Sequence, residues 1–497
     1  MAATRTAPPV VIGVDSSTQS TKAVVVDAAT GAVRAVGRAA HTVTGEGGAR
    51  ESDPEQWWSA LGEAVASALA AADVPAHTVT GIAVAGQQHG LVVLDAAGRP
   101  LRPAVLWNDT RSAPQAAELT AALGGPEGWL ARTGSVPVAS MTATTWQWLR
   151  AHEPAVTAAT AAVRLPHDYL TERLSGAAAT DPGDASGTCW YDTAAHAYDQ
   201  EILDLLGLDP ALLPAVAASG ATRVGTLTPD AAHALGLPSG VAVAAGTGDN
   251  MAAAVGLGLG GAGLLDHPVV SLGTSGTVFA ATRTRPAAGF AGLAGFAAAD
   301  GTYLPLGCTL NCSLAVDRFA GLLGLDREDT APGDGLVVLP YLDGERTPDL
   351  PHATGLVTGL RHTTTPRAIL GAAYEGASFT VLRALDDLFS ACGLDPSDAA
   401  VRDRPLRLIG GGAQGAAWRD TIRRLSGRPL VVPAATELVA LGAAALAASA
   451  VTGEDPVALA TAWGTGHGET LPPVARDEET WNRIASVLDR ATPSLLT

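Results

Sequence analysis

The sequence predicts an α/β protein made of two similar domains, and the main evidence is a strand–turn–strand segment that occurs twice. Residues 10–27 read VVIGVDSSTQSTKAVVVD, two β-branched runs around a turn rich in Ser and Thr, which is typical of a β-hairpin. Residues 269–280 read VVSLGTSGTVFA and repeat this design. The two segments lie about half a chain apart, which is too far for a solenoid repeat. They therefore indicate two domains that each begin with the same hairpin.

A helix and several strands are predicted around these hairpins. Asp53 and Pro54 mark a helix start, and apolar residues recur at helical spacing from Trp57 to Leu69, so we expect a helix over 52–72. Short apolar runs predict further strands over 32–38, 79–85, 241–245 and 406–409, and further helices over 251–255 and 416–425.

The length of 497 residues suggests two to four domains. We expect a first domain over 8–250, a second over 251–455, and a helical tail over 456–497. No linker rich in Pro or Ser separates the first two, so we expect the hinge between them to lie within structured elements.

Composition argues against several classes of protein. Acidic residues outnumber basic ones by 49 to 31, a net charge of −18, which disfavours a nucleic-acid binder or a polybasic membrane protein. The N-terminus lacks the layout of a signal peptide, and the longest charge-free candidate for a membrane span, 438–451, is short for a membrane helix. The four cysteines are too few and too scattered for a disulfide framework. We therefore expect a cytoplasmic protein with reduced thiols.

Two common phosphate-binding motifs do not account for this chain. A Walker A loop is excluded, because Lys22 is the only lysine and no glycine precedes it. The spacing GxGxxG occurs at 256–261, after a predicted helix, and at 410–415, after a predicted strand. Too little chain follows the second copy for a full dinucleotide-binding domain, so a dehydrogenase is disfavoured.

The two hairpin turns are better candidates for binding phosphate. Thr18 lies in the first turn among other hydroxyl residues and Lys22 follows it, so N–H groups, hydroxyls and a positive charge can face an anion. Gly273 and Thr274 occupy the second turn, where glycine lets a phosphate approach the backbone. Such turns are also ordinary hairpin chemistry. Their occurrence once in each predicted domain favours binding of a nucleoside triphosphate.

Polar residues follow two of the predicted strands. Asp249 and Asn250 follow the strand at 241–245, where an Asp can either accept a proton from a bound hydroxyl or cap the next helix. Gln88 and His89 follow another strand, and amide and imidazole groups can both donate and accept hydrogen bonds to a polyol. Asp15 adjoins the first turn, where a carboxylate can hold a metal-bound water.

Together these motifs resemble the FGGY family of carbohydrate kinases. The resemblance covers residues 10–452 and rests on the ordered segments VIGVDSSTQSTK, AGQQHG, LWNDTR, DASGTCWYD, GTGDN, SLGTSGTVF, PYLDGERTP and IGGGAQGAAWRD. The set is most similar to the family members that phosphorylate D-xylulose. The resemblance implies two RNase H-like, actin-type ATPase domains flanking a central cleft. It also implies ATP-dependent, Mg²⁺-assisted conversion of D-xylulose to D-xylulose 5-phosphate.

The resemblance further implies roles for individual residues. Asp249 corresponds to the catalytic base and Asn250 to a sugar contact, while Asp15 corresponds to the acid that acts near the metal. Gln88 and His89 correspond to the sugar-binding pair, where glycerol kinases carry Arg-Glu. The implied ATP contacts are Thr18, Lys22, Gly273, Thr274, Gly411 and Gly412.

Two positions depart from the family pattern. Ser17 stands where the first turn usually has glycine, and Ala416 stands where some relatives have an asparagine that contacts ATP.

Three functions stay open at this point: a kinase of D-xylulose, a kinase of the same fold for another ketose or polyol such as ribulose, and an actin-like ATPase module without sugar transfer. A gluconate site would add a cation for the carboxylate, and the segment AGQQHG has none. Relatives of this kind often form dimers, so a homodimer is expected.

Overall fold

The structure is a computed structural model that describes residues 8–139, 141–261, 263–287, 292–348, 350 and 352–495. The chain divides into two compact units. Unit 1 comprises Met1–Ala262, Gly295–Tyr303 and Ala435–Gly466, and unit 2 comprises Gly263–Ala294, Leu304–Ala434 and His467–Thr497. The predicted domain boundaries after residues 250 and 455 stay a prediction.

The strands and helices that precede residue 262 all belong to unit 1. The strands are β1 (Val10–Ser16), β2 (Ser20–Asp27), β3 (Val33–Ala40), β4 (Glu51–Ser52), β5 (Val79–Gly86), β6 (Val92–Leu94), β7 (Ala104–Val105), β8 (Ala162–Arg164), β9 (Ala179–Thr180), β10 (Tyr191–Asp192), β11 (Ala197–Tyr198), β12 (Ala215–Val216), β13 (Arg223–Thr226), β14 (Ala242–Ala244) and β15 (Thr247–Gly248). The helices are α1 (Pro54–Ala72), α2 (Ala113–Ala122), α3 (Pro126–Thr133), α4 (Thr142–His152), α5 (Pro154–Ala159), α6 (Pro166–Ser175), α7 (Pro182–Ser186), α8 (Gln200–Leu206), α9 (Pro229–Leu235) and α10 (Asp249–Gly256).

The elements after residue 262 complete both units. The strands are β16 (Val269–Leu272), β17 (Gly276–Phe279), β18 (Leu293–Ala297), β19 (Tyr303–Thr309), β20 (Val337–Leu339), β21 (Leu356–Thr358), β22 (Leu406–Ile409), β23 (Leu430–Pro433) and β24 (Gly468–Leu471). The helices are α11 (Ser313–Leu323), α12 (Pro366–Ala391), α13 (Ala399–Arg402), α14 (Ala416–Ser426), α15 (Leu438–Thr452), α16 (Pro456–Trp463) and α17 (Glu478–Leu495).

The main sheets of the two units share one arrangement of strands. In unit 1 the order is β13-β14-β5-β1-β2-β3, with β15 also on β5. Strands β1 to β3 form an antiparallel meander, β5 and β14 continue the sheet in parallel, and β13 adds an antiparallel edge. The second main sheet has the order β18-β19-β17-β16-β22-β23-β24, again with an antiparallel part, two parallel neighbours and the antiparallel edge strand β24. The predicted α/β class with a repeated hairpin is therefore confirmed.

The first helix of unit 1 begins where the sequence predicts. The Asp53 side chain accepts a hydrogen bond from the backbone N–H of Glu55 at 3.0 Å and caps α1. Trp57, Leu61 and Val65 recur at helical spacing and are all fully buried in a core formed with alternate residues of β1. This packing covers one face of the first sheet.

Helix α15 covers the opposite face of that sheet at very close range. A Cβ built on Gly13 of β1 would lie 1.9 Å from the Ala440 carbonyl oxygen, and a Cβ on Gly442 would lie 1.8 Å from the Ala252 carbonyl oxygen of α10. Only glycine allows such backbone contacts. The Ala- and Gly-rich composition of α15 is thus explained by its packing against β1 and α10.

The segment 456–497, predicted to be helical, contains both helices and a strand. Helix α16 belongs to unit 1, while β24 pairs with β23 in unit 2 and α17 follows it. The strand was missed because GETL is a short polar sequence with exposed side chains.

No single helix among the described residues is long and apolar enough to cross a membrane, and one bent pair, Leu438–Thr452 with Pro456–Trp463, meets the length and composition criteria only when its two helices are combined.

Candidate active site

The turn between β1 and β2 brings Asp15 and Lys22 opposite each other in the antiparallel register. Ser17 donates a hydrogen bond from Oγ to Asp15 Oδ1 at 2.6 Å, and its backbone N–H donates to the Ser20 carbonyl at 3.0 Å. Ser17 does not lie in the left-handed region, so the backbone does not require glycine there. Where the family usually has glycine, this chain therefore has a serine whose hydroxyl orients Asp15.

Thr18 connects this turn to another sequence motif of unit 1. Its Oγ1 accepts a hydrogen bond from the indole Nε1 of Trp107 at 3.0 Å. Trp107 belongs to the LWNDTR segment, and the residue is 38% exposed. The turn and the LWNDTR loop are therefore neighbours, which the sequence alone did not indicate.

Lys22 is held by a carboxylate that the sequence analysis did not predict as a site residue. Its Nζ lies 2.7 Å from Glu437 Oε2 and 3.9 Å from Asp15 Oδ2. Glu437 immediately precedes α15, whose packing on β1 brings it to the hairpin. Because 415 residues separate Glu437 from Lys22 in the sequence, no local pattern could have indicated the pair.

Asp249 and Asn250 form the first turn of α10, directly after β15. The Asn250 amide Nδ2 donates to Gln88 Oε1 at 2.8 Å and to Asp249 Oδ1 at 3.0 Å. The structure thus brings together three of the residues predicted from the sequence. Gly248 is the N-cap, so Asp249 does not have the capping role that was its alternative interpretation.

The electrostatic environment of Asp249 favours a proton acceptor. The pKa of Asp249 is raised to about 7. The largest cause is burial of the carboxylate, and the negative charges of Asp15 and Asp184 raise the pKa further. A carboxylate with a pKa near neutrality is a stronger base than an ordinary Asp and is still largely ionised at slightly alkaline pH.

His89 is fixed on both its backbone and its ring. Its φ of 67° lies in the left-handed region, and its carbonyl accepts a hydrogen bond from Thr142 Oγ1 at 3.0 Å. Its ring Nδ1 lies 2.8 Å from the Gly187 carbonyl oxygen, so Nδ1 carries the proton and donates. In the neutral ring this arrangement makes Nε2 an acceptor, which suits recognition of a hydroxyl group.

The second hairpin turn and the glycine-rich loop adjoin each other in unit 2. The Gly273 N–H donates to the Ser275 carbonyl at 3.0 Å, and the Gly273 carbonyl accepts from the N–H of Ser313 at the start of α11. A Cβ on Gly412 would lie 2.7 Å from the Cβ of Leu272, the residue before Gly273. The segments with Gly273, Thr274, Gly411 and Gly412 therefore form one surface of backbone groups.

Ala416 begins α14, and its side chain contributes no polar group at that helix end. The N–H of Ala417 donates instead to Glu328 Oε2 at 2.9 Å. At this departure from the family pattern, a carboxylate therefore occupies the N-terminus of α14.

The carboxylates of unit 1 fit a magnesium ion that is also bound by phosphates and water. Asp15 is buried, and burial raises its pKa, whereas the hydrogen bond from Ser17 and the charge of Lys22 act in the opposite direction. The charge of Asp15 contributes to the raised pKa of Asp249, and a divalent cation bound nearby would offset this repulsion. Among the described residues no group of three or more His, Cys, Asp and Glu side chains could hold a metal ion by itself. Mg²⁺ commonly binds through one or two carboxylates plus substrate phosphates, and this donor set agrees with that pattern.

The paired mixed sheets and these hairpin turns define an α/β protein of the actin-like ATPase class. Residues 10–256 match the N-terminal domain model of the FGGY family of carbohydrate kinases, and residues 269–451 match the C-terminal domain model. The chain belongs to the FGGY family of carbohydrate kinases, which confirms the resemblance seen in the motifs.

Two relatives and one solved structure are similar over nearly the whole chain. The xylulose kinase of Streptomyces coelicolor is 58% identical and that of Streptomyces rubiginosus 57% identical, each over 98% of this chain and 97% of the relative. The crystal structure of a xylulose kinase from Bifidobacterium adolescentis is 32% identical, with a TM-score of 0.81 over 97% of this chain and 99% of that one. As a carbohydrate kinase of this family, the protein uses ATP.

Proposed function

We propose that this protein phosphorylates D-xylulose at O5 with ATP and Mg²⁺, producing D-xylulose 5-phosphate and ADP. The observation that carries the proposal is the sequence identity of 57–58% to two xylulose kinases over 98% of the chain. The hydrogen-bonded group of Gln88, Asn250 and Asp249 supports it, because amide and carboxylate groups suit the recognition of sugar hydroxyls.

The proposed reaction is a direct phosphoryl transfer with Asp249 as general base. The O5 hydroxyl gives its proton to the Asp249 carboxylate while its oxygen forms a bond to the γ-phosphorus of ATP. The bond from that phosphorus to the β–γ bridging oxygen breaks, and its electron pair leaves with ADP. The pKa of about 7 at Asp249 matches the requirement for a base that works near neutral pH.

The remaining residues bind and orient the reactants in this proposal. Gln88, His89 and Asn250 bind the sugar hydroxyls so that O5 faces Asp249. The N–H groups of the turn at Gly273 and Thr274 bind phosphate oxygens.

On the nucleotide side, Gly411 and Gly412 lie against the adenosine, whereas Thr18 and Lys22 contact the phosphates. Asp15 would hold the magnesium ion, directly or through water, and the bound ion would supply positive charge that offsets the charge of the phosphate oxygens.

A sugar panel separates this proposal from the alternatives. ADP release is measured with Mg·ATP and D-xylulose, D-ribulose, L-ribulose, gluconate, glycerol or no sugar. We expect a strong and selective response to D-xylulose. Selective turnover of another sugar would support a sugar kinase but reject D-xylulose as its substrate. Equal ADP release without any sugar would favour an ATPase module. The homodimer and the cytoplasmic location stay predictions.

A further inference from the structure

A buried cluster of charged side chains lies in unit 1 next to the candidate sugar residues. We call His167, Asp168, Asp181 and Asp184 the buried cluster; each of these side chains is at most 1% exposed. His167 is central: its Nδ1 lies 2.6 Å from Asp184 Oδ2, and its Nε2 lies 3.2 Å from Asp168 Oδ1 and 3.8 Å from Asp181 Oδ1. Burying four such groups together is costly unless they are paired. None of the four was predicted as a site residue.

The buried cluster is connected to the strand that ends at Asp249. Thr247 Oγ1 donates to Asp181 Oδ2 at 2.6 Å, and Thr247 lies two residues before Asp249. The next residue, Gly248, passes close to Asp184, because a Cβ on Gly248 would lie 3.2 Å from Asp184 Oδ1. The same Asp184 oxygen has no hydrogen-bond partner among the described residues. The position of the candidate base therefore depends on where Asp181 and Asp184 are held.

The buried cluster is also connected to His89 through α7. Asp181 caps this helix by accepting hydrogen bonds from the backbone N–H groups of Gly183 and Asp184, each at 3.0 Å. The helix ends at Gly187, whose carbonyl accepts the hydrogen bond from His89 Nδ1. A shift of α7 would therefore move the carbonyl group that orients the His89 ring.

Two glycines at the ends of sheet strands lie directly against His167. A Cβ on Gly86, the last residue of β5, would lie 2.8 Å from the His167 backbone nitrogen. A Cβ on Gly246, just before β15, would lie 3.2 Å from His167 Cδ2. The imidazole is thus held against the ends of the strands that carry Gln88 and Asp249.

We propose that His167 is a positioning residue for sugar phosphorylation, acting through Asp184 to hold both the candidate base Asp249 and the sugar residue His89. The inference rests on the proposed function, because its test needs the sugar that the protein phosphorylates. His167 contacts no substrate in this account. It acts by fixing the carboxylate that adjoins Gly248 and the helix that ends at Gly187.

Two amide substitutions at His167 separate positioning from general stability. In His167→Asn the amide nitrogen stands near the position of Nδ1 and can still donate to Asp184, whereas in His167→Gln it stands near the position of Nε2 and cannot. We expect the KM for D-xylulose to stay within about threefold of wild type in His167→Asn and to rise at least about tenfold in His167→Gln. The KM for ATP should change by less than about twofold in both.

Tyr169→Phe on the same helix is the matched control. The Tyr169 hydroxyl donates to Glu55 at 2.6 Å on α1, away from the buried cluster. This variant should lower the unfolding temperature and leave the KM for D-xylulose unchanged. Equal sugar KM values in folded His167→Asn and His167→Gln would overturn the inference.

Thr247→Val tests the same inference if the His167 variants do not fold. Valine replaces the hydroxyl that donates to Asp181 with a methyl group of similar size. We expect kcat to fall about tenfold with little change in the KM for ATP, whereas wild-type kcat would overturn the inference. Wild-type protein without activity on D-xylulose would overturn the proposed function and this inference together. Wild-type activity with unaffected variants would overturn the inference alone.

Discussion

At the scale of single residues, Asp249 is the group on which the proposed chemistry depends. Its carboxylate is fixed by Asn250 and adjoins two other acids that make it more basic. Asp249→Asn keeps the shape and hydrogen bonds but cannot accept a proton. We expect kcat to fall by about 10³-fold, within the range found for removal of a general base. Steady-state kinetics measures the loss, and calorimetric titration with D-xylulose should show unchanged sugar binding. A kcat within a few-fold of wild type would reject Asp249 as the base.

The raised pKa of Asp249 predicts how turnover depends on pH. The carboxyl must be ionised to accept a proton, so kcat/KM for D-xylulose should rise tenfold per pH unit below about pH 7 and level off above it. Asp184→Asn removes one of the negative charges that raise this pKa, so the rising limb should move to lower pH. A pH profile of both proteins measures the shift. If the pH at which kcat/KM rises is unchanged or higher in Asp184→Asn, the charge of Asp184 does not raise the pKa of Asp249.

The pair of Lys22 and Glu437 predicts an effect on the nucleotide side. In Glu437→Gln the lysine loses its partner at 2.7 Å, and the nearest remaining carboxylate is Asp15 at 3.9 Å. Lys22 would then compete with magnesium for Asp15, so the KM for Mg·ATP should rise about fivefold while the KM for D-xylulose stays unchanged. Glu454→Gln, at an exposed glutamate of the same unit, is the control. An unchanged KM for Mg·ATP would show that Glu437 does not keep Lys22 from Asp15.

Residues in local motifs could be predicted from the sequence, and residues brought in by packing could not. Asp15, Gln88 and Asp249 each adjoin a strand end that apolar runs mark in the sequence. Glu437 and His167 have no such signal, because they reach the site only through the packing of α15 and α6. Glu437 pairs with Lys22, which lies hundreds of residues away in the sequence. His167 pairs with Asp184, which lies in a separate motif.

At the scale of elements, the hairpins and α1 form from local signals alone. β-branched runs and a short polar turn specify β1 with β2 and β16 with β17, and Asp53 with Pro54 specifies the start of α1. The short strands β15 and β24 were not predicted, because two to four residues show no periodicity and form only through pairing with β5 and β23.

The close packing of α15 on the first sheet predicts a large effect of one methyl group. Gly13→Ala would place a Cβ 1.9 Å from the Ala440 carbonyl oxygen, so the helix or the strand must move. We expect a loss of about 3 kcal/mol in the free energy of unfolding, seen as a clear drop in unfolding temperature by calorimetry. Gly240→Ala is the control, because a Cβ there would contact nothing within 4 Å. Equal unfolding temperatures in both variants would contradict this packing.

At the scale of the whole molecule, each compact unit is built from three separate segments of the chain. Ala435–Gly466 packs with unit 1 and His467–Thr497 with unit 2, so segments that are distant in the sequence belong to the same unit. Helices α15 and α16 are more apolar than the long buried helix α12, so their composition predicts burial but does not indicate the unit against which they pack. Membership of a distant segment in a unit depends on tertiary contacts, which periodicity cannot report.

Binding of the sugar should stabilise the whole protein. A ligand that binds only the folded state at 100 times its Kd adds about 2.7 kcal/mol to the free energy of unfolding. We therefore expect saturating D-xylulose to raise the unfolding temperature in calorimetry and an equal concentration of glycerol to leave it unchanged. The same response to both compounds would show that the stabilisation is not due to a selective sugar site.

The most direct test of the central claim is identification of the product by ³¹P NMR after incubation of the protein with Mg·ATP and D-xylulose. We expect a phosphomonoester coupled to the C5 methylene protons of the sugar, formed in equal amount to ADP. Free phosphate in equal amount to ADP, with no sugar phosphate, would contradict the claim that Asp249 directs the γ-phosphoryl group to O5 of D-xylulose.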